Sequence, residues 1–338
     1  MLTVGIVGAG LRGRLFAEAL RTQPGVEVAG FAEPSETTAK AAHASTNLPV
    51  FASHNELLAE QKPDAVIVAT PDFAHREVAV DVAASGRHLL VEKPLATNLG
   101  DARAIADAVR RGGGRCLVGF ENRWNPHAVK AHAAVAGGAL GAPITYSATL
   151  SNSYYVPTQM LSWAAASSPA WFLMPHTVDL LLWLTGRAPV TVSAVGSRGV
   201  LRARGIDTWD VVHALITLDD GTTANLSSTW VLPDAGEGII DFRLTLVGTE
   251  GALSVDMGHQ GLTVVSDKYR SDWPLNGRVG RSEVGMAVWM AQDFAAALID
   301  GTEIGPDVGH GVLVTEVICA VERSLELGGP VKLADLRR

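Results

Sequence analysis

Cysteine and lysine are the shortages that say most about this chain. Two cysteines in 338 residues, Cys116 and Cys319, lie far apart in apolar settings and lack metal-ligand spacing. That excludes a disulfide framework or a thiolate metal centre and predicts two buried thiols in a reducing compartment. No run of basic residues occurs and the net charge is −8, which argues against a nucleic-acid surface. Long hydrophobic runs are missing too. The most apolar stretch, 171–184, is broken by Pro175, His176 and Asp179 and is too short to cross a bilayer, so no membrane partner is expected. No basic leader with a small-residue cleavage site precedes the first apolar segment, and the expected location is cytoplasmic. What remains is a chain of 47% hydrophobic residues, without repeats or low-complexity tails, long enough for two domains.

Lysine occurs six times, at 40, 62, 93, 130, 268 and 332. Lys93 alone follows directly on a buried-looking strand, His88-Leu89-Leu90-Val91-Glu92. Parallel sheets place their working residues at that carboxyl end, and an ammonium group there can lose solvation and move toward the range useful for proton transfer. The same residues also suit an ordinary strand-end ion pair of Glu92.

The first third alternates strand and helix, which predicts a doubly wound parallel sheet. Leu2 to Gly8 is a strand that runs into Gly8-Ala9-Gly10-Leu11-Arg12-Gly13, and a helical pattern follows. Glycines there permit the tight turn, let backbone approach a pyrophosphate and allow close helix-on-strand packing. Glu33 closes the second strand, Val26 to Ala32, twenty residues beyond Gly13. A carboxylate at that place suits a ribose 2′-hydroxyl and repels a 2′-phosphate, so NAD is favoured over NADP. After the strand 65–69 comes Thr70-Pro71-Asp72-Phe73-Ala74-His75. Asp72 and His75 can reach a nicotinamide ribose or cap the helix that follows; the residues leave both open.

Taken together, Gly8 to Gly13, the Ala69-Thr70-Pro71 turn, Glu92-Lys93-Pro94-Leu95 and Gly119-Phe120-Glu121-Asn122-Arg123-Trp124-Asn125-Pro126 resemble the motifs of the glucose-fructose oxidoreductase and inositol dehydrogenase family (Gfo/Idh/MocA). The resemblance implies a nicotinamide-dependent oxidoreductase of sugars, polyols or their derivatives. In it the lysine matching Lys93 handles the hydroxyl proton, and Arg123 matches an arginine near the substrate. It also implies cofactor contacts from Gly8 to Gly13, Glu33, Thr70, Pro71, His75, Glu92 and Lys93, and no metal.

The composition changes from about residue 122, giving domains of 1–121 and 122–338. Alternating strands around 144–149, 191–195, 211–218, 224–230 and 242–247, with a turn at Asp219-Asp220-Gly221, predict a largely antiparallel sheet covered by helices on one face. The resembled family often joins subunits through the other face, which implies a homodimer or homotetramer. Pro175-His176-Thr177-Val178-Asp179 looks like the family's His-x-x-Asp segment, with His176 assisting Lys93 and Asp179 orienting or binding substrate. Here the chain departs from the pattern. Phe172 stands four residues before His176 where many members have an aspartate, and Trp163 and Phe172 can line a less polar pocket instead. The expected activity is NAD-linked oxidation of a secondary alcohol on a sugar or cyclitol. Two alternatives are a cofactor-binding regulator that has lost turnover and a glycoside-cleaving relative that holds NAD tightly. Two late amphipathic helices, 284–299 and 308–327, are expected to pack on the second sheet, with His310 and Glu316 structural or solvated.

Overall fold

The computed structural model describes residues 1–235, 238–258, 277–280 and 282–337. The chain divides into two compact units, 1–124 with 275–315, and 125–274 with 316–338.

The first unit begins β1 (Leu2–Val7), α1 (Leu11–Arg21), β2 (Val26–Ala32), α2 (Glu36–Thr46), β3 (Val50–Phe51), α3 (His54–Gln61), β4 (Ala65–Val68), α4 (His75–Ala84), β5 (His88–Glu92), α5 (Leu99–Gly112) and β6 (Cys116–Gly119). These strands form one parallel sheet in the order β3-β2-β1-β4-β5-β6. β4 and β6 are buried at every residue, as strands covered on both faces must be, which is why they are continuous apolar runs. Helix starts are written in the sequence. Ser35, Ser53 and Asn98 each accept a backbone N–H from the first turn of the helix that follows.

In the second unit, α6 (Pro126–Ala136), β7 (Pro143–Asn152), α7 (Pro169–Phe172), α8 (Met174–Thr185), β8 (Pro189–Ser197), β9 (Val211–Leu218), β10 (Thr223–Thr229), β11 (Ile240–Gly248) and β12 (Ala252–Asp256) follow. The sheet order is β12-β11-β7-β10-β9-β8, and every neighbouring pair is antiparallel except β7 with β10. In β9, Val212, Ala214, Ile216 and Leu218 are buried while His213, Leu215 and Thr217 are exposed, so one face is core and the other faces solvent. α8 packs on the buried face against β7 and β10.

The chain then forms the hairpin β13 (Gly277–Val279) and β14 (Ser282–Val284), followed by α9 (Met286–Asp300), α10 (Val308–Leu327) and β15 (Val331–Lys332). β15 joins the second sheet beside β8, and α10 passes from one unit to the other. Here the structure corrects the sequence reading. α9 packs on α1 and touches β1 and β6, and its Met290 and Phe294 share a core with Val4, Ile6, Phe16 and Phe31. Each such side chain, fully buried, contributes about 1.5–3 kcal/mol. The boundary drawn at 121 therefore misassigned this helix: amphipathicity announces a buried face without naming what covers it. Cys116 is buried as expected, its thiol pushed up to about 12 chiefly by desolvation, whereas Cys319 is only half-buried.

Candidate active site

The glycine-rich turn is built by close backbone packing. A Cβ on Gly8, at φ +98°, would stand 2.6 Å from the Ala69 carbonyl oxygen, and one on Gly13 would overlap the Gly8 carbonyl. Gly10 has nothing within 4 Å of where its Cβ would be, so that side of the turn is open. Gly10 is also the N-cap of α1 and gives no side-chain cap, leaving the first amides of the helix to an outside anion. Ala9 is buried and Leu11 is 79% exposed. At the end of β2 the Glu33 carboxylate accepts the N–H groups of Ala9 and Ser35, both at 3.0 Å, which holds it beside the turn. These residues fit a dinucleotide: backbone for the pyrophosphate, Glu33 for a ribose diol.

Lys93 follows β5 and is half-buried. Desolvation pulls its pKa below the ordinary lysine value, opposed by the charges of Glu92, Glu121 and Asp72 and reinforced by Arg12. Glu92 accepts the Lys93 backbone N–H at 3.1 Å and is itself 7% exposed. It pairs in register with Gly119 on β6, where an added Cβ would lie 3.1 Å from the Glu92 carboxylate oxygen, so glycine leaves room for that side chain. Arg12 is turned toward two carboxylates. Its Nε lies 2.7 Å from Glu92 Oε1 and its Nη2 2.7 Å from Glu121 Oε2.

His75 is a joint between two loops. Nδ1 lies 2.8 Å from the Pro94 carbonyl and Nε2 3.1 Å from the Thr70 carbonyl, and the ring is 1% exposed, so no ring nitrogen is left for a ligand. It ties the loop after β4 to the loop after β5. Pro71 caps the 3₁₀ turn Asp72–Ala74, and the Thr70 hydroxyl is buried without a hydrogen-bond partner. Arg123 lies on the 3₁₀ turn Glu121–Trp124, which α9 anchors through Trp124 Nε1 donating to Asp293 at 2.6 Å. Its Nη2 lies 2.9 Å from His310 Nε2. His310 therefore has a definite structural partner.

In the second unit, His176 and Asp179 are both buried on α8, one turn apart, where Pro175 opens the helix and Gly186 closes it in a left-handed conformation. Tyr146 donates its hydroxyl to the Thr177 carbonyl at 3.2 Å. Burial, with the Asp179 charge, keeps that phenol protonated well above its ordinary range. Phe172 meets Trp163 edge-on at 6.0 Å and Trp230 at 5.7 Å, so the position without a carboxylate is part of an aromatic cluster. Near the ends of β7 and β10, Asn152 Oδ1, Ser153 Oγ, Ser228 Oγ and Trp230 Nε1 are buried with no hydrogen-bond partner.

Residues 2–120 match the model of the oxidoreductase family with an NAD-binding Rossmann fold, and residues 128–254 match the GFO/IDH/MocA C-terminal domain. The chain belongs to the GFO/IDH/MocA family. An inositol 2-dehydrogenase of Rubrobacter xylanophilus is 27% identical over 340 residues, covering 99% of this chain and 94% of the relative. A scyllo-inositol 2-dehydrogenase (NAD(+)) of Bacillus subtilis is 26% identical, covering 98% and 96%. The structure of scyllo-inositol dehydrogenase from Lactobacillus casei, with bound NAD(H) and scyllo-inositol, shares the fold at a TM-score of 0.83, with 18% identity over 99% of both chains.

As a GFO/IDH/MocA member, the chain is an NAD-binding oxidoreductase, and the glycine turn with Glu33 lies within its NAD-binding Rossmann fold. The first unit brings Lys93 and Glu92 together with Arg12, and places Arg123 two residues from Glu121. The second brings His176 and Asp179 onto one helix and Trp163 and Phe172 into one cluster. Sequence reasoning missed Glu121 as a charged neighbour of Lys93, and missed Asn152, Ser153, Ser228 and Trp230. Serine and asparagine at a strand end carry no signal that distinguishes an orphaned side chain from a solvated one.

Proposed function

We propose that this protein oxidises a secondary alcohol of a cyclitol or related sugar, with Lys93 as the general base. The carrying observation is a lysine set directly after a buried parallel strand, next to the Arg12–Glu92–Glu121 bridge, where desolvation lowers its pKa. NAD, when bound, supplies the hydride acceptor. Lys93 in its neutral form takes the hydroxyl proton, and its lowered pKa increases the neutral fraction at moderate pH. His176 and Asp179 orient or relay at the substrate, and Arg123 contacts it, fixed in place by His310. The inositol dehydrogenase names of the relatives support a cyclitol. So does the second unit, whose half-buried Trp163 and Phe172 meet edge-on and suit the apolar face of a ring. The reading includes a cytoplasmic enzyme and a homodimer or homotetramer joined through the exposed sheet face, which carries Val195, Leu215 and Val247.

The test is incubation with NAD and a panel of inositols and sugars, following NADH absorbance. Turnover of at least one cyclitol is expected. Lys93→Ala should lower kcat/KM by about 10²–10⁴-fold with NAD binding retained. Tight NAD binding with no substrate reduced would favour a regulator instead, an outcome that Phe172 motivates. NAD that stays bound and cycles without net reduction would point to glycoside cleavage.

A further inference from the structure

We propose that Arg12 and Glu121 are positioning residues for the reaction, forming with Glu92 a charge bridge that sets how readily Lys93 gives up and takes back a proton. This rests on Lys93 being the base of the proposed function.

Arg12 sits in the first turn of α1, at the positive end of the helix dipole, where a cation is disfavoured. It is held there by two carboxylates from different strand ends: Glu92 at the end of β5 and Glu121 just after β6, each 2.7 Å from a different guanidinium nitrogen. The side chains of Glu92 and Glu121 are 9% and 17% exposed, and that of Arg12 is 32% exposed, so this is not a solvated surface pair. Gly119 leaves the space that Glu92 occupies, and the Glu92 carboxylate also accepts the Lys93 backbone N–H. One guanidinium thus spans two anions whose charges also act on Lys93.

The charged groups acting on Lys93 come from several elements of its unit. They are Glu92 on β5, Glu121 on the 3₁₀ turn that also carries Arg123, Arg12 on α1 and Asp72 after β4. His75, at the start of α4, has its ring on the Pro94 carbonyl, and burial favours its neutral form. Within this set Arg12 favours the neutral amine, and Glu121 favours the ammonium. Removing one or the other therefore has opposite consequences. A merely structural bridge has no such sign.

The experiment is NMR titration of the full-length protein with lysine side chains labelled at Cε and Nζ, the Lys93 signal identified by its loss in Lys93→Gln. Arg12→Gln should move the Lys93 midpoint up by about one pH unit and Glu121→Gln should move it down by a similar amount. Arg12→Gln/Glu121→Gln should return it toward wild type. If Arg12→Gln does not fold, Arg12→Met, which also removes the charge, carries the same upward expectation. With an active substrate in hand, the acid limb of kcat/KM should move in the same directions. Midpoints that stay put, or move the same way in both single variants, overturn the proposal. The NMR reading needs no turnover, so failure to find a substrate would count against the proposed function and leave this result standing.

Discussion

At His75 the two ring nitrogens face two carbonyl oxygens, yet a neutral imidazole has only one N–H to give. The imidazolium would serve both, but burial outweighs the carbonyls and the nearby Asp72 and Glu92, and the pKa is lowered. The folded-state value thus lies below the unfolded value of about 6.5, and the unfolded chain binds the extra proton. His75 stabilises the fold fully above that pH, and its contribution declines as pH falls through 6.5 toward the folded-state value. Urea melts between about pH 8 and 5 should show a steeper loss for wild type than for His75→Asn; equal slopes would remove His75 from the account. Lys93 was legible because it stands alone after an apolar run. Arg12 and Glu121 were not, because a charged residue beside a turn is solvated by default, and only the convergence of β5, β6 and α1 turns these two toward each other.

Elements were legible wherever burial dictates pattern: β4, β5 and β6 as apolar runs, β9 and β10 as strict alternations, α10 from Val308 to Leu327. Caps account for several starts. Asn98 accepts the Asp101 N–H at 2.8 Å and donates to the Asp101 carboxylate at 2.6 Å, fixing where α5 begins after the Lys93 loop. Asn98→Ala should cost about 1 kcal/mol in chemical denaturation, with Asn98→Ser recovering most of it; an unchanged midpoint would show that the cap is replaced by water. The short α7 was not legible as an element of its own. It is a single turn after Ser168, whose hydroxyl accepts the Trp171 N–H at 3.2 Å and donates to Glu322 at 2.8 Å.

For the whole molecule, the exposed face of the seven-stranded sheet makes a measurable claim. Leu215 is 61% exposed and Val195 67% exposed on adjoining strands, an arrangement suited to a second copy. Sedimentation should find wild type as a dimer or tetramer at micromolar concentration, and Val195→Asp/Leu215→Asp should lower the mass. A monomeric wild type would remove the proposed assembly. The two-domain plan and both sheets were readable from strand patterns, but the return of the chain to its first unit was not. Nothing local to 286–300 says whether its apolar stripe meets α1 or the second sheet.

That return has a consequence for how the protein is made. The core of the nucleotide-binding half is completed by Met290 and Phe294, and its last segment ends at residue 315. During translation the first half must wait, its apolar flank uncovered, while six of the seven strands of the second sheet, within 143–256, are synthesised. A fragment cut near residue 121 would carry the glycine turn and Lys93 but keep that flank bare, and should be found in the insoluble fraction.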